Sequence, residues 1–341
     1  MQLIVIYFCY ISKFGFFMRV ITFIFGFLLL ASGVSFGQRT TQPSNDTIDQ
    51  ILVLNHYAEE DGFVLYLPLE NCEDDTLDLV VFVHGFGALN PKVYGGWIEH
   101  LVSKGNAVLF PRYQMSIFTT STSDFVPNTV AAIKGVYGLS AQYNYHLNMD
   151  YIDLIGHSYG GVIIGNIAAT YRVHDIPTPR VAFLCEPGSG PLTGAVLDSY
   201  QAIDKDLMLI IIVGDEDHTV GQKLGVIVYE TAVQTDHRML FWQFADENGD
   251  ERIEASHYEP YAFDSRFDVG IENFTIKRAE KVSMLNQVDY HGYWQIFDTH
   301  QERANNGNRM IEAELIEQLS NLGTWSDGTP VKAMELRLNG K

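Results

Sequence analysis

Short apolar runs recur along this chain, with longer stretches between them in which apolar residues fall three and four positions apart. Residues 51–54 and 63–67 read as an early pair of strands, since each is a brief apolar run bounded by polar and glycine residues. From residue 79 the pattern becomes an alternation. Residues 79–83, 107–110, 151–155, 181–184, 207–213 and 239–244 read as strands. Helical spacing follows over 97–102, around 130–137, after residue 158 and near 290–297. Strands that are apolar on both faces and interleaved with helices predict a mostly parallel sheet covered on both sides, here with eight strands. Between 181 and 213 there is room for one short helix at most, so little or no cap is expected, whereas the excursion after residue 244 is longer. Residues 38–46 are polar and read as a flexible leader, and 47–341 as a single α/β domain with a C-terminal helical extension.

Candidate chemistry sits at the ends of the predicted strands. After 151–155 comes Gly156-His157-Ser158-Tyr159-Gly160, followed by the small and apolar residues of a helix. A strand, a sharp turn and a helix would raise the Ser158 hydroxyl above the sheet and aim the first N–H groups of the helix at its target. The pattern sets a chain order for two partners, an acid and then a histidine. The strand at 207–213 runs into Gly214-Asp215-Glu216-Asp217-His218-Thr219-Val220, where Asp217 is the preferred orienting acid and Asp215 and Glu216 are alternatives better suited to turn and capping roles. His257 is the first histidine after residue 244 and best fits the order among eleven histidines, with His218, His237 and His291 behind it. His237 precedes its strand and so belongs to the wrong end of the sheet. Finally, His84-Gly85-Phe86-Gly87 follows the strand at 79–83, a place from which the backbone N–H of Phe86 would join that of Tyr159 in an oxyanion hole.

These four ordered motifs, spanning residues 79–258, resemble the α/β-hydrolase superfamily. Val83-His84-Gly85-Phe86-Gly87 and Gly156-His157-Ser158-Tyr159-Gly160-Gly161 are similar to compact bacterial esterases and lipases and to chlorophyllase-like or polyester-hydrolase-like enzymes. The resemblance implies a serine nucleophile, hydrolysis of a small or lipophilic carboxylic ester through an acyl-enzyme, and no metal or cofactor. The same triad serves peptidases, amidases and acyltransferases, and a hydrolase-like domain without activity is a further alternative. Tyr290-His291-Gly292-Tyr293-Trp294 and Gly323-Thr324-Trp325-Ser326-Asp327-Gly328 depart from the superfamily pattern.

The N-terminus differs in kind from the rest. Residues 1–37 hold no acid and only Lys13 and Arg19 as bases, and 21–30 are almost wholly apolar. Read from a start at Met18, this is a secretory signal peptide cut ahead of Gln38, which implies export; an uncleaved membrane anchor is the competing reading. Its removal leaves 20 basic against 42 acidic residues, a formal charge of −22. So acidic a surface argues against nucleic acid as a partner, and leaves membrane contact to the N-terminal segment alone.

Weaker signals remain. Cys72 and Cys185 stand 113 positions apart, and an exported compartment would permit them to pair. Asp246-Glu247-Asn248-Gly249-Asp250-Glu251 places oxygen ligands at alternate positions, but its glycine is misplaced for a calcium loop and a solvated acidic turn is expected. Asn45-Asp46-Thr47 and Asn273-Phe274-Thr275 fit the glycosylation triplet. Tyr94, Trp97, Tyr113, Phe118, Tyr258 and Tyr261 fall near the predicted loops, most as core or rim packing and a few as lining for an apolar acyl pocket.

Overall fold

The apolar runs become strands of one large sheet because each face of that sheet meets a layer of helices. The computed structural model describes residues 44–58, 61–70, 76–119, 121–192 and 195–338. The expected signal peptide, the leader up to residue 43 and Cys72 lie outside the described residues. In chain order, β1 (Ser44–Ile48), β2 (Ile51–His56) and β3 (Phe63–Pro68) form an antiparallel meander. Then follow β4 (Thr76–Val83), α1 (Gly95–Ser103), β5 (Ala107–Pro111), α2 (Phe125–Tyr143), β6 (His146–His157), α3 (Tyr159–His174) and β7 (Thr178–Cys185). The second half carries β8 (Met208–Gly214), α4 (Lys223–Thr231), β9 (Arg238–Gln243) and the hairpin of β10 (Asp246–Asn248) and β11 (Glu251–Ile253). It ends with α5 (Phe274–Val282), a π-helical segment Val288–Trp294 that runs into α6 (Gln295–Asn305), α7 (Ala313–Ser320) and β12 (Glu335–Leu338).

Strand order is β1-β2-β3-β5-β4-β6-β7-β8-β9-β12. The strands from β5 to β9 are mutually parallel, and β3 and β12 flank them antiparallel. Along β8 the alternation of a strand divides the side chains between two cores: Met208, Ile210 and Ile212 enter one, Leu209, Ile211 and Val213 the other. The first core is closed by Trp97 and Leu101 of α1 together with Ile276, Phe297 and Leu315 of α5, α6 and α7. The second is closed by Ile133, Ile163 and Val228 of α2, α3 and α4. The C-terminal extension thus supplies most of one helical layer.

Two expectations are corrected. The sheet has ten strands rather than eight, the additions being β1 and β12 at its edges. Edge strands are held largely by ladder hydrogen bonds, so Ser-Asn-Asp-Thr-Ile and the four-residue β12 need no long apolar run to pair. The first edge strand also takes in Ser44–Asp46, which had read as leader. The acidic stretch after β9 is a hairpin whose two-residue turn, Gly249-Asp250, puts the glycine at a φ of 63°. Between β7 and β8 there is no helix among the described residues, in keeping with little or no cap. Nor, among the described residues, is any helix long and apolar enough to cross a membrane.

At the end of the sheet away from the predicted chemistry, Arg180 of β7 is buried between acids. Its guanidinium donates to both carboxylate oxygens of Asp153 (2.9 and 2.7 Å) and to Asp78 (2.7 Å), while Gln301 of α6 also donates to Asp153 (2.8 Å). The network ties the C-terminal extension to β4, β6 and β7. Arg180→Ala would leave Asp153 buried without its counter-charge, so urea unfolding should show a loss of about 3–5 kcal/mol; a change below about 1 kcal/mol would contradict this account.

Candidate active site

β6 ends in Gly156-His157 and α3 begins at Tyr159, which leaves Ser158 alone to turn the chain. Its backbone sits at φ 56° and ψ −119°, a region that a residue with a side chain occupies only under compulsion. The compulsion is visible on both sides. A Cβ on Gly160 would lie 2.0 Å from the Val83 carbonyl oxygen, and one on Gly156 would lie 2.4 Å from the Gly160 oxygen. Only glycine permits the helix start to press against the end of β4. Ser158 N–H donates to the Cys185 carbonyl (2.9 Å) at the end of β7, and the Ser158 carbonyl accepts from Gly188 (3.2 Å).

The partners come from neighbouring strand ends. His257 follows β11, and its Nε2 is 2.8 Å from Ser158 Oγ. Its Nδ1–H donates to Asp217 Oδ2, also at 2.8 Å, from the turn after β8. The other oxygen of Asp217 accepts the backbone N–H groups of Thr219 (2.8 Å) and Val220 (3.0 Å). Burial alone would push this carboxyl up; the bond and charge of His257 and the two N–H groups outweigh it and hold the pKa at about 2. Since that lies below the unfolded value, the pairing stabilises the fold above about pH 4, and its contribution is lost as pH falls through about 2. Ser158, His257 and Asp217 are all buried.

The turn after β4 leans on the same serine. A Cβ on Gly85 would meet Ser158 Cβ at 3.2 Å. Three side chains fix the turn: Tyr94 Oη accepts from Gly85 N–H (3.0 Å), Gln114 Oε1 accepts from Gly87 N–H (2.8 Å), and Asn273 Nδ2 donates to the Gly87 carbonyl (2.7 Å). Phe86 N–H has no acceptor among the described residues and lies in the turn that faces Ser158. Tyr159 N–H is the first of α3 and has no carbonyl behind it within the helix.

The fold matches known structures. A fungal esterase from Rhizomucor miehei superposes with a TM-score of 0.50 at 12% identity, covering 78% of this chain and 84% of its own. The chain has the α/β-hydrolase fold. An α/β-hydrolase from a Medee basin deep-sea metagenome library (TM-score 0.45, 13% identity, 58% of this chain and 82% of that one) is also similar. So is esterase B from Lactobacillus rhamnosis (TM-score 0.42, 13% identity, 59% of this chain and 77% of that one). No family model and no curated protein matches the sequence.

In this α/β-hydrolase fold the alternatives go elsewhere. Asp215 accepts from Ala245 N–H (2.9 Å), and Glu216 pairs with the exposed His218 (3.0 Å). His237 precedes β9 at the far end of the sheet, donating to the Arg309 carbonyl (2.6 Å), and His291 lies beside Gln295 (3.2 Å). Asn273 of the glycosylation triplet is committed to Gly87. Cys185 is buried at the end of β7. Sequence reasoning missed Tyr94, Gln114, Asn273 and the role of His157. His157 had a signal in its place inside the pentapeptide and Tyr94 in its nearness to a predicted loop; the bonds of Tyr94, Gln114 and Asn273 act across 9 to 186 positions and follow no motif for this role.

The close approach at residue 160 generates a prediction. Gly160→Ala must move α3 or the β4 turn, so thermal unfolding should show a loss of about 3 kcal/mol, and the turn carrying Phe86 should shift. An alanine variant as stable as the parent would refute the contact.

Proposed function

We propose that this chain is a serine hydrolase that cleaves carboxylic esters through an acyl-enzyme. The observation that carries the reading is the unbroken line from Ser158 Oγ to His257 Nε2 and from His257 Nδ1 to Asp217, each step 2.8 Å. Ser158 attacks the ester carbonyl while His257 takes its proton and returns it to the departing alkoxide. Asp217 fixes the imidazole tautomer and offsets the charge that develops on it. The N–H groups of Phe86 and Tyr159 receive the oxyanion, and water then releases the acid by the same steps in reverse.

Two features support an ester whose acyl or alcohol part is apolar. No helix caps the interval between β7 and β8 among the described residues, and Phe118 stands 85% exposed one residue from Ile117. Ile117 in turn borders Gly87 of the oxyanion turn. Residues 1–37 would direct export, a reading supported by their apolar and acid-free composition. Residues 47–341 would form the one catalytic domain, in line with the single compact unit from Thr41 to Lys341.

A fluorophosphonate should label Ser158, and Ser158→Ala should abolish both labelling and hydrolysis of nitrophenyl esters. Absence of an adduct in folded protein would overturn the reading, and faster turnover of an anilide than of its matched ester would shift it to an amidase. Asp217→Asn should lower kcat by about 10⁴-fold, whereas Asp215→Asn should retain most activity and lose only about 1 kcal/mol of stability with its bond to Ala245. The reverse ranking would move the acid to Asp215.

A further inference from the structure

The residue before the nucleophile makes contacts that the reaction scheme does not use. His157 is buried between two functional loops, with its ring centroid 4.8 Å from that of His257. Its Nε2 lies 2.9 Å from the backbone carbonyl oxygen of His257, and its Nδ1 lies 2.8 Å from Tyr94 Oη. A carbonyl only accepts, so Nε2 carries the proton. Burial, followed by the neighbouring His257 charge, pushes the His157 pKa well below the ordinary histidine value. The ring is therefore neutral, Nδ1 is bare, and the Tyr94 hydroxyl donates to it. Tyr94 Oη accepts in turn from Gly85 N–H at 3.0 Å. Every polar atom in this chain of bonds has a partner, and all the side chains are buried, so no solvent competes.

We infer that His157 is a positioning residue that locks the base loop to the oxyanion turn through Gly85 N–H, Tyr94 Oη, the His157 ring and the His257 carbonyl. This rests on the esterase reading and names a part of its machinery. The geometry explains why a hydrogen-bonding ring is placed there. Backbone pairing of β4 with β6 stops at Val83 and Gly156, and β11 ends at Ile253, before the loops that carry Phe86 and His257. Ser158 directly follows His157, so one side chain references both loops to the nucleophile. His257 is held at its ring by Asp217 and at its carbonyl by His157, which leaves its Nε2 little freedom away from Ser158. A misplacement of about 1 Å at such a site can cost 10²-fold in rate.

Three variants test this against simple packing: His157→Gln keeps a donor able to reach the His257 carbonyl, His157→Leu fills space without one, and Tyr94→Phe removes a single oxygen. Nitrophenyl ester kinetics should show kcat falling roughly 10- to 100-fold in His157→Leu with KM changed less than about twofold. In His157→Gln kcat should stay within about fivefold of the parent, and in Tyr94→Phe it should fall about tenfold. Equal loss in the Gln and Leu variants would reduce His157 to packing, and an undiminished kcat in His157→Leu would remove it from the machinery. Should His157→Leu fail to fold, a Tyr94→Phe protein with parental kcat overturns the inference alone. A parent protein that neither hydrolyses esters nor takes a fluorophosphonate would defeat the esterase reading instead, so the two failures are separable.

Discussion

Everything at the candidate site depends on one close approach, the start of α3 against the end of β4. Because residue 160 has no side chain, the helix can sit with its first turn against the carbonyl oxygens of Val83 and His84. That contact forces Ser158 into a positive φ, and the positive φ lifts its hydroxyl out of the sheet toward the loops. The strain is held by bonds on either side, from Ser158 N–H to Cys185 and from Gly188 N–H to Ser158. Conformations of this kind cost about 1–3 kcal/mol and persist only where the surroundings over-determine them. Here two buried sheet strands and a buried helix do so.

The parallel sheet brings the rest to the same edge. β4, β6 and β8 point the same way, so the turn with Phe86, the turn with Ser158 and the turn with Asp217 emerge side by side. The segment that carries His257 is less constrained by the sheet, and the C-terminal extension compensates. Ala262 N–H donates to the Val93 carbonyl (3.0 Å) and Gly96 N–H to Ala262 (2.8 Å), while Asn90 donates to Asp268 (2.7 Å) and to the Ile271 carbonyl (2.8 Å). Lys92, almost wholly buried, bridges Asp268 and Glu272. The segment after β4 and the segment after β11 are thereby bound into one wall, and Asn273 carries the connection to Gly87 itself.

This division also explains what the sequence makes legible. The strands of the parallel centre are buried on both faces, so their continuous apolar runs announce them, and the strand-turn-helix around Ser158 is written in adjacent residues. Asp217 and His257 are found by chain order because a parallel sheet with short connections constrains where strand ends fall. β1 and β12 are not legible, since pairing at an edge requires backbone groups rather than apolar side chains. Nor is the clamp on the turn after β4. Gln114 and Asn273 are ordinary polar residues in loops, and what joins them to Gly87 is a distance across the fold. His157 and Tyr94 are intermediate cases: a histidine beside Ser158 and a tyrosine near a loop are visible, but a bond to the backbone of His257 has no sequence pattern.

Two neighbouring buried carboxyls are the clearest case in which environment, rather than residue type, decides which form is favoured. Glu186 stands directly after β7 and Asp217 shortly after β8, and both are buried carboxyls close to the same turn. Glu186 accepts Gly214 N–H (2.7 Å) and lies 3.1 Å from the Tyr293 hydroxyl, in surroundings that otherwise include Tyr293 and Gln243. Burial, and then the negative charge of Asp217, push its pKa well above the usual carboxylate range. Burial likewise raises Glu259 and Asp289 behind it. Asp217 has two backbone N–H groups and an imidazole N–H pointing at it, enough to favour the ionised form despite its burial. Burial thus favours the neutral form at Glu186, while the N–H groups around Asp217 favour the ionised form on the carboxylate that holds the imidazole.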